Sequence, residues 1–120
     1  MGRIIGLVMV LMLIPAMCFA QPKYCLSSGT KAVAGGNVAI AAASAKLCGV
    51  IIQTDGTNDA TIEVWDDASA ATGTVLFNMT ITGGDDRGGA IFAYPIAAVN
   101  GLFLDFNTCT GCSVEVYYQP

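Results

Sequence analysis

Thr61-Ile-Glu-Val-Trp65, followed after an Asp/Ala/Ser/Gly connection by Thr74-Val-Leu-Phe-Asn-Met-Thr-Ile-Thr82, decides the fold class. Both stretches alternate with period two. Ile62 and Val64 share one face of the first, and Val75, Phe77, Met79 and Ile81 share one face of the second. Side chains of a strand point alternately to opposite faces, so each stretch predicts a strand buried on one side only. The same reading extends toward the end of the chain. Leu102, Leu104 and Phe106 oppose Phe103, Asp105 and Asn107, and Val114, Val116 and Tyr118 oppose Ser113, Glu115 and Tyr117.

Upstream, the segments 46–54 and 90–96 are apolar almost continuously, the pattern of central strands covered on both faces. Pro95 lacks an amide hydrogen, so its strand is expected to end there or to run along a sheet edge. Val38 to Ala42 reads as a weaker strand, and Ala39 to Ala45 is the one stretch whose alanines suit a helical turn as well. Between these runs lie Gly35-Gly-Asn37, Asp55-Gly-Thr-Asn-Asp59, the segment 66–73, Gly83-Gly-Asp-Asp-Arg-Gly-Gly89 and Asn100-Gly101, all of turn composition. About eight short strands without a convincing helix predict an all-β antiparallel sandwich of jelly-roll or immunoglobulin-like topology. The expected core or near-core rings are Trp65, Phe77, Phe92 and Phe106.

The chain has 120 residues, enough for one small domain, and its first twenty read as a separate element. Met1-Gly-Arg3 is a basic start, Ile4 to Ile14 is an apolar run interrupted only by Gly6, and Pro15-Ala-Met-Cys-Phe-Ala20 carries Cys18 and Ala20 at the spacing of a signal-peptidase site. A membrane anchor needs about twenty apolar residues, and the stretch that ends at Ala20 is shorter and holds a helix-breaking Pro15. The expectation is a cleavable signal peptide over residues 1–20 and a single sandwich domain over 21–120. Contact with a membrane is expected only through the signal peptide before cleavage. The localisation that follows is secreted, periplasmic or on a cell surface.

Of the five basic residues, Arg3 leaves with the leader, so the mature chain holds four against nine acids, a net charge of minus five. Without clustered Lys and Arg a nucleic-acid partner is excluded. The chain has no histidine, which removes the Ser-His-Asp and Cys-His nucleophile arrangements and the usual zinc sites. No enzyme activity and no cofactor are expected.

Export changes the reading of the cysteines. Cys25, Cys48, Cys109 and Cys112 remain after cleavage, and in an oxidising compartment disulfides are the default. Four cysteines allow three pairings. Cys109-Thr-Gly-Cys112 spans a turn where a local bridge is sterically plausible, which would leave Cys25 to pair with Cys48 across two neighbouring strands. A redox Cys-x-x-Cys motif works at a helix N-terminus, whereas strands flank this one.

Asp55, Asp59, Asp66, Asp67, Asp85 and Asp86 are weak candidates for a metal or ligand site formed by loops at one end of the sandwich. The loop that starts at Asp55 has Ala60 where a calcium loop requires glycine, so no metal is expected there as a first reading. Phe103 and Tyr117 fall on polar-facing positions and are candidates for an exposed contact patch.

From Leu47 onward the order of elements adds a resemblance. Leu47-Cys-Gly-Val-Ile-Ile-Gln-Thr-Asp-Gly56, Ala60-Thr-Ile-Glu-Val-Trp-Asp66, Ala68-Ser-Ala-Ala-Thr-Gly-Thr-Val-Leu76, Asn100-Gly-Leu-Phe-Leu104 and Ser113-Val-Glu-Val-Tyr-Tyr118 carry it. The pattern resembles small β-sandwich proteins of tailed phages and prophages, regarded as virion decoration or fibre-like surface proteins. The resemblance implies a sandwich fold and a structural or interaction role, with a protein partner or self-assembly. The leader and the four cysteines lie outside that pattern and fit an exported surface or periplasmic protein. The alternative function is a secreted module that binds a glycan or calcium through the acidic loops.

Overall fold

A computed structural model of the chain describes residues 24–120. The signal peptide expected at 1–20 and its cleavage point lie outside the described residues. Eight strands follow one another: β1 (Leu26–Ala32), β2 (Val38–Ala41), β3 (Ala45–Gln53), β4 (Ala60–Asp66), β5 (Thr74–Ile81), β6 (Arg87–Ala98), β7 (Leu102–Thr108) and β8 (Ser113–Gln119). A single 3-10 turn, Val33–Gly35, joins β1 to β2. The alanine-rich stretch that suited a helical turn forms β2, a bend and the start of β3.

The strands make two four-stranded sheets, in the orders β1-β8-β3-β6 and β2-β7-β4-β5. Within them β1 pairs with β8, β2 with β7, β3 with β6 and β4 with β5, all antiparallel. Such nesting results when one long hairpin, with its bend between β4 and β5, is rolled into two layers. That is the jelly-roll arrangement rather than the immunoglobulin one.

The core lies between the layers, where the alternating residues meet. Ile62 and Val64 of β4, Leu102 and Leu104 of β7, Leu47, Val50 and Ile52 of β3, and Val114 and Val116 of β8 are all essentially inaccessible. Each contributes roughly 1.5–3 kcal/mol through burial. Phe77 and Phe106 close the core at 7% and 8% exposure, and Phe92 packs against it from β6.

Four expectations need correction. Val75 is 39% exposed, because a bulge pairs Val64 with Phe77 but Trp65 with Val75 and so resets the alternation after Leu76. Trp65, expected in or near the core, lies outside the core cluster and projects from the outer face next to Glu63. β6 is an edge strand, not a central one, so the apolar content of 90–96 is partly exposed: Ile91 is 66% and Tyr94 is 88% accessible. Its register jumps between Gly49↔Ile91 and Leu47↔Ile96, so residues 92–95 bulge out of the ladder at Pro95, as an edge permits. Finally, β1 and β3 are not neighbours, since β8 runs between them.

Both disulfides form. Cys25–Cys48 bridges a Cα separation of 6.2 Å, and Cys109–Cys112 one of 5.9 Å across the β7–β8 turn. The first passes over the end of β8, where Gln119 donates its side-chain amide to the Cys25 sulfur at 3.7 Å. The two bridges fit an oxidising or extracellular compartment. Among the described residues no helix is long and apolar enough to cross a membrane.

Candidate functional site

The six candidate aspartates do not gather. Loops 54–59 and 82–86 meet at one end of the sandwich, tied by Thr54, whose amide and hydroxyl donate to the backbone carbonyls of Asp86 and Asp85 at 2.9 and 2.8 Å. Asp66 and Asp67 leave β4 at the opposite end, so the expectation of one acidic end is overturned. Most of these carboxylates serve the backbone instead. Asp55 Oδ1 accepts from the amides of Thr57 and Asn58, both at 2.9 Å, Asp59 Oδ1 from Gly83 at 2.6 Å, and Asp66 Oδ1 from Asn100 at 2.7 Å. Asp67 accepts from the amides of Ser69 and Ala70 and from the Thr72 hydroxyl.

These bonds favour the charged form. The amides of Asn58 and then Thr57 hold Asp55 below its ordinary pKa, and the Thr72 hydroxyl followed by the Ser69 amide does the same for Asp67. Among the described residues no group of three or more Asp, Glu or Cys side chains is placed to hold a metal ion.

The two candidate contact rings diverge as well. Phe103 is 9% exposed, contrary to the exposed patch expected of it, because β7 is a central strand and its outward neighbours across the ladder are Ala39 and Trp65. Tyr117 is half-buried on the outer face of β8, and a hydrogen bond to the Glu115 carboxylate is the main reason its hydroxyl is held above its ordinary pKa.

Two outer surfaces stand out instead. On the β1-β8-β3-β6 sheet, Ile51 faces Gly89 and Ile91 faces Gly49 across the β3–β6 ladder. The Ile91 Cδ1 atom lies 2.5 Å from where a Cβ on Gly49 would sit, so this isoleucine lies flat over its glycine. Ile51 on β3 and Ile91 and the bulge residue Tyr94 on the edge strand β6 are 42%, 66% and 88% exposed. A shallow depression of about 300 Å³ at the end of these strands is lined by Ser44, Lys46, Ala97, Val99, Gln119 and Pro120.

On the β2-β7-β4-β5 sheet, Glu63 is the one buried charged side chain among the described residues, at 9% exposure. Its Oε2 accepts from the Trp65 indole at 3.1 Å and its Oε1 from the Asn78 amide at 2.8 Å. Asp105 is its Cα partner on β7. Alternation alone places Glu63 on the outer face with Trp65, but the register that brings Asn78 and Asp105 beside it is tertiary and left no local signal.

The chain matches no family model, no curated protein and no solved structure.

Proposed function

We propose that the mature chain is an exported, non-enzymatic structural module that assembles through its surface with copies of itself or with a larger particle, in the manner of phage decoration or surface proteins. The observation that carries this reading is the exposure of Ile51, Ile91 and Tyr94 on the β3–β6 side of one sheet. Singly exposed apolar residues are ordinary, but three large ones on an edge strand and the strand beside it offer a surface that association covers. β6 keeps that edge from indiscriminate strand pairing. Its bulge at 92–95 interrupts the ladder, and Met79 Sδ accepts the Gly89 amide at 3.1 Å. Contact is thereby directed to side chains. The resemblance in the segments from Leu47 to Tyr118 supports the particle-surface role, and the two disulfides suit a protein that works outside the cell.

Sedimentation velocity of residues 21–120 tests the self-assembly arm. The expected result is a concentration-dependent oligomer at on the order of 100 μM that becomes a monomer in the Ile91→Lys/Tyr94→Lys double variant. A monomer across the whole range in the parent chain counts against self-assembly. Flanking genes for capsid or tail proteins would support the particle arm, and their absence would contradict it.

A further inference from the structure

Trp65, Glu63, Asn78 and Asp105 occupy one face of the β2-β7-β4-β5 sheet, on the side of the sandwich away from Ile51 and Ile91. Three properties of this face call for an occupant of definite chemistry. The first is rigidity: the indole N–H is held by Glu63 two residues earlier on the same strand, so the half-buried ring is fixed against the sheet. The second is charge. The ionisable residues of this sheet are Glu63, Asp66 and Asp105, whereas Lys31, Lys46 and Arg87 all belong to strands of the other sheet. Glu63 and Asp105 are directly opposed like charges, which is unfavourable in a bare ladder. Trp65 and Asn78 supply donors to Glu63, and no side-chain donor within the described residues reaches Asp105. The third is the polar complement. Asn78 is exposed and offers a carbonyl oxygen and a second N–H beyond the one Glu63 takes, and the Thr61 and Thr80 hydroxyls pair at 2.9 Å beside it.

We propose that this face is a binding platform for a neutral, pyranose-containing glycan, with a sugar ring stacked on Trp65 and its hydroxyls donating to Asp105 and exchanging hydrogen bonds with Asn78. A pyranose presents a flat C–H face to an aromatic ring and a rim of hydroxyls that both donate and accept, which matches a locked indole beside a carboxylate and an amide. Anionic glycans and phosphates are excluded by the unrelieved acidic charge. A cation would use the carboxylates and the ring, but it would make no use of the second Asn78 N–H, and a single ring on an open face forms no cage. The site does not depend on the assembly proposed above, which uses the other sheet, so each reading fails or stands alone.

Trp65 is the only tryptophan in the chain, so its emission reports on this face alone. The test is fluorescence titration of residues 21–120 with maltohexaose, cellohexaose, chitohexaose and mannohexaose, with tetramethylammonium chloride as the cationic probe. The expected result is a saturable change in Trp65 emission with at least one hexasaccharide below roughly 10 mM. Asp105→Ala should weaken it at least tenfold without lowering the melting midpoint, Asp105→Asn should recover part of the loss, and Asn78→Ala, which also takes a donor from buried Glu63, should weaken it at least tenfold with a lower midpoint. No response to any of the four sugars, a response to tetramethylammonium alone, or a sugar response unaltered in both alanine variants would overturn the proposal.

Discussion

Phe92 of β6 stands edge-on to Phe77 of β5, with ring centroids 6.3 Å apart and planes at 72°. The two strands are the edges of different sheets, so this contact links the layers on the side where the rolled hairpin leaves both ladders open. Phe77 is 7% exposed and Phe92 is half-buried, so the two rings should not cost the same when removed. Phe77→Ala is expected to destabilise by about 3 kcal/mol or more and Phe92→Ala by less. A double-mutant cycle in urea should give a coupling of about 0.5–1.5 kcal/mol. Strict additivity would show that the rings do not support each other.

Gly89 sits opposite Ile51 with φ +136°, and a Cβ placed on it would lie 2.1 Å from the Val50 carbonyl oxygen. No side chain fits there without moving the ladder. Gly29 also has positive φ, +69°, but has open space around it. Gly89→Ala is therefore expected to cost about 2–4 kcal/mol, against about 1 kcal/mol for Gly29→Ala. Equal denaturation midpoints for the two variants would contradict the packing described.

The strands and turns were legible in sequence because period-two alternation and Gly/Asp/Asn punctuation are local properties, as Ile62, Val64, Leu102 and Leu104 illustrate. Whatever depends on which strand lies beside which was not. Phe103 looked exposed because its alternation is polar-facing, yet its burial is set by its neighbours on β2 and β4. Val75 was misplaced by one bulge, which inverts a face without changing composition. The acidic loops looked alike in sequence and were sent to opposite ends by the direction of β4. Choosing between jelly-roll and immunoglobulin winding likewise required the long-range pairings β1·β8 and β2·β7.

The two disulfides should contribute unequally. Cys25–Cys48 spans 23 positions and Cys109–Cys112 only 3. Chain-entropy arguments give about 3.5 kcal/mol for the long loop and about 2 kcal/mol for the short one. The Cys25→Ala/Cys48→Ala variant should therefore melt lower than Cys109→Ala/Cys112→Ala in differential scanning calorimetry. The reverse order would contradict this ranking.

Acid should destabilise through two loop carboxylates. Asp55 and Asp67 titrate below the ordinary aspartate value of 3.8 in the folded chain, held by amide and hydroxyl donors. The unfolded chain binds protons first as pH falls, so their contribution is complete above the ordinary value and is lost as pH drops through the lowered one. Urea midpoints should be level from neutrality to about pH 5 and decline as pH falls through the ordinary aspartate value, with a shallower decline in Asp55→Asn/Asp67→Asn. An unchanged slope in that variant would show that other carboxylates govern the acid limb.

The assembly reading is tested most directly by amide hydrogen exchange on the oxidised mature protein, compared between dilute and concentrated solution. The expected result is added protection on concentration at residues 89–94 and around Ile51, with the β2-β7-β4-β5 face unchanged. Identical exchange at both concentrations, or protection gained only on the face that carries Trp65, would contradict it.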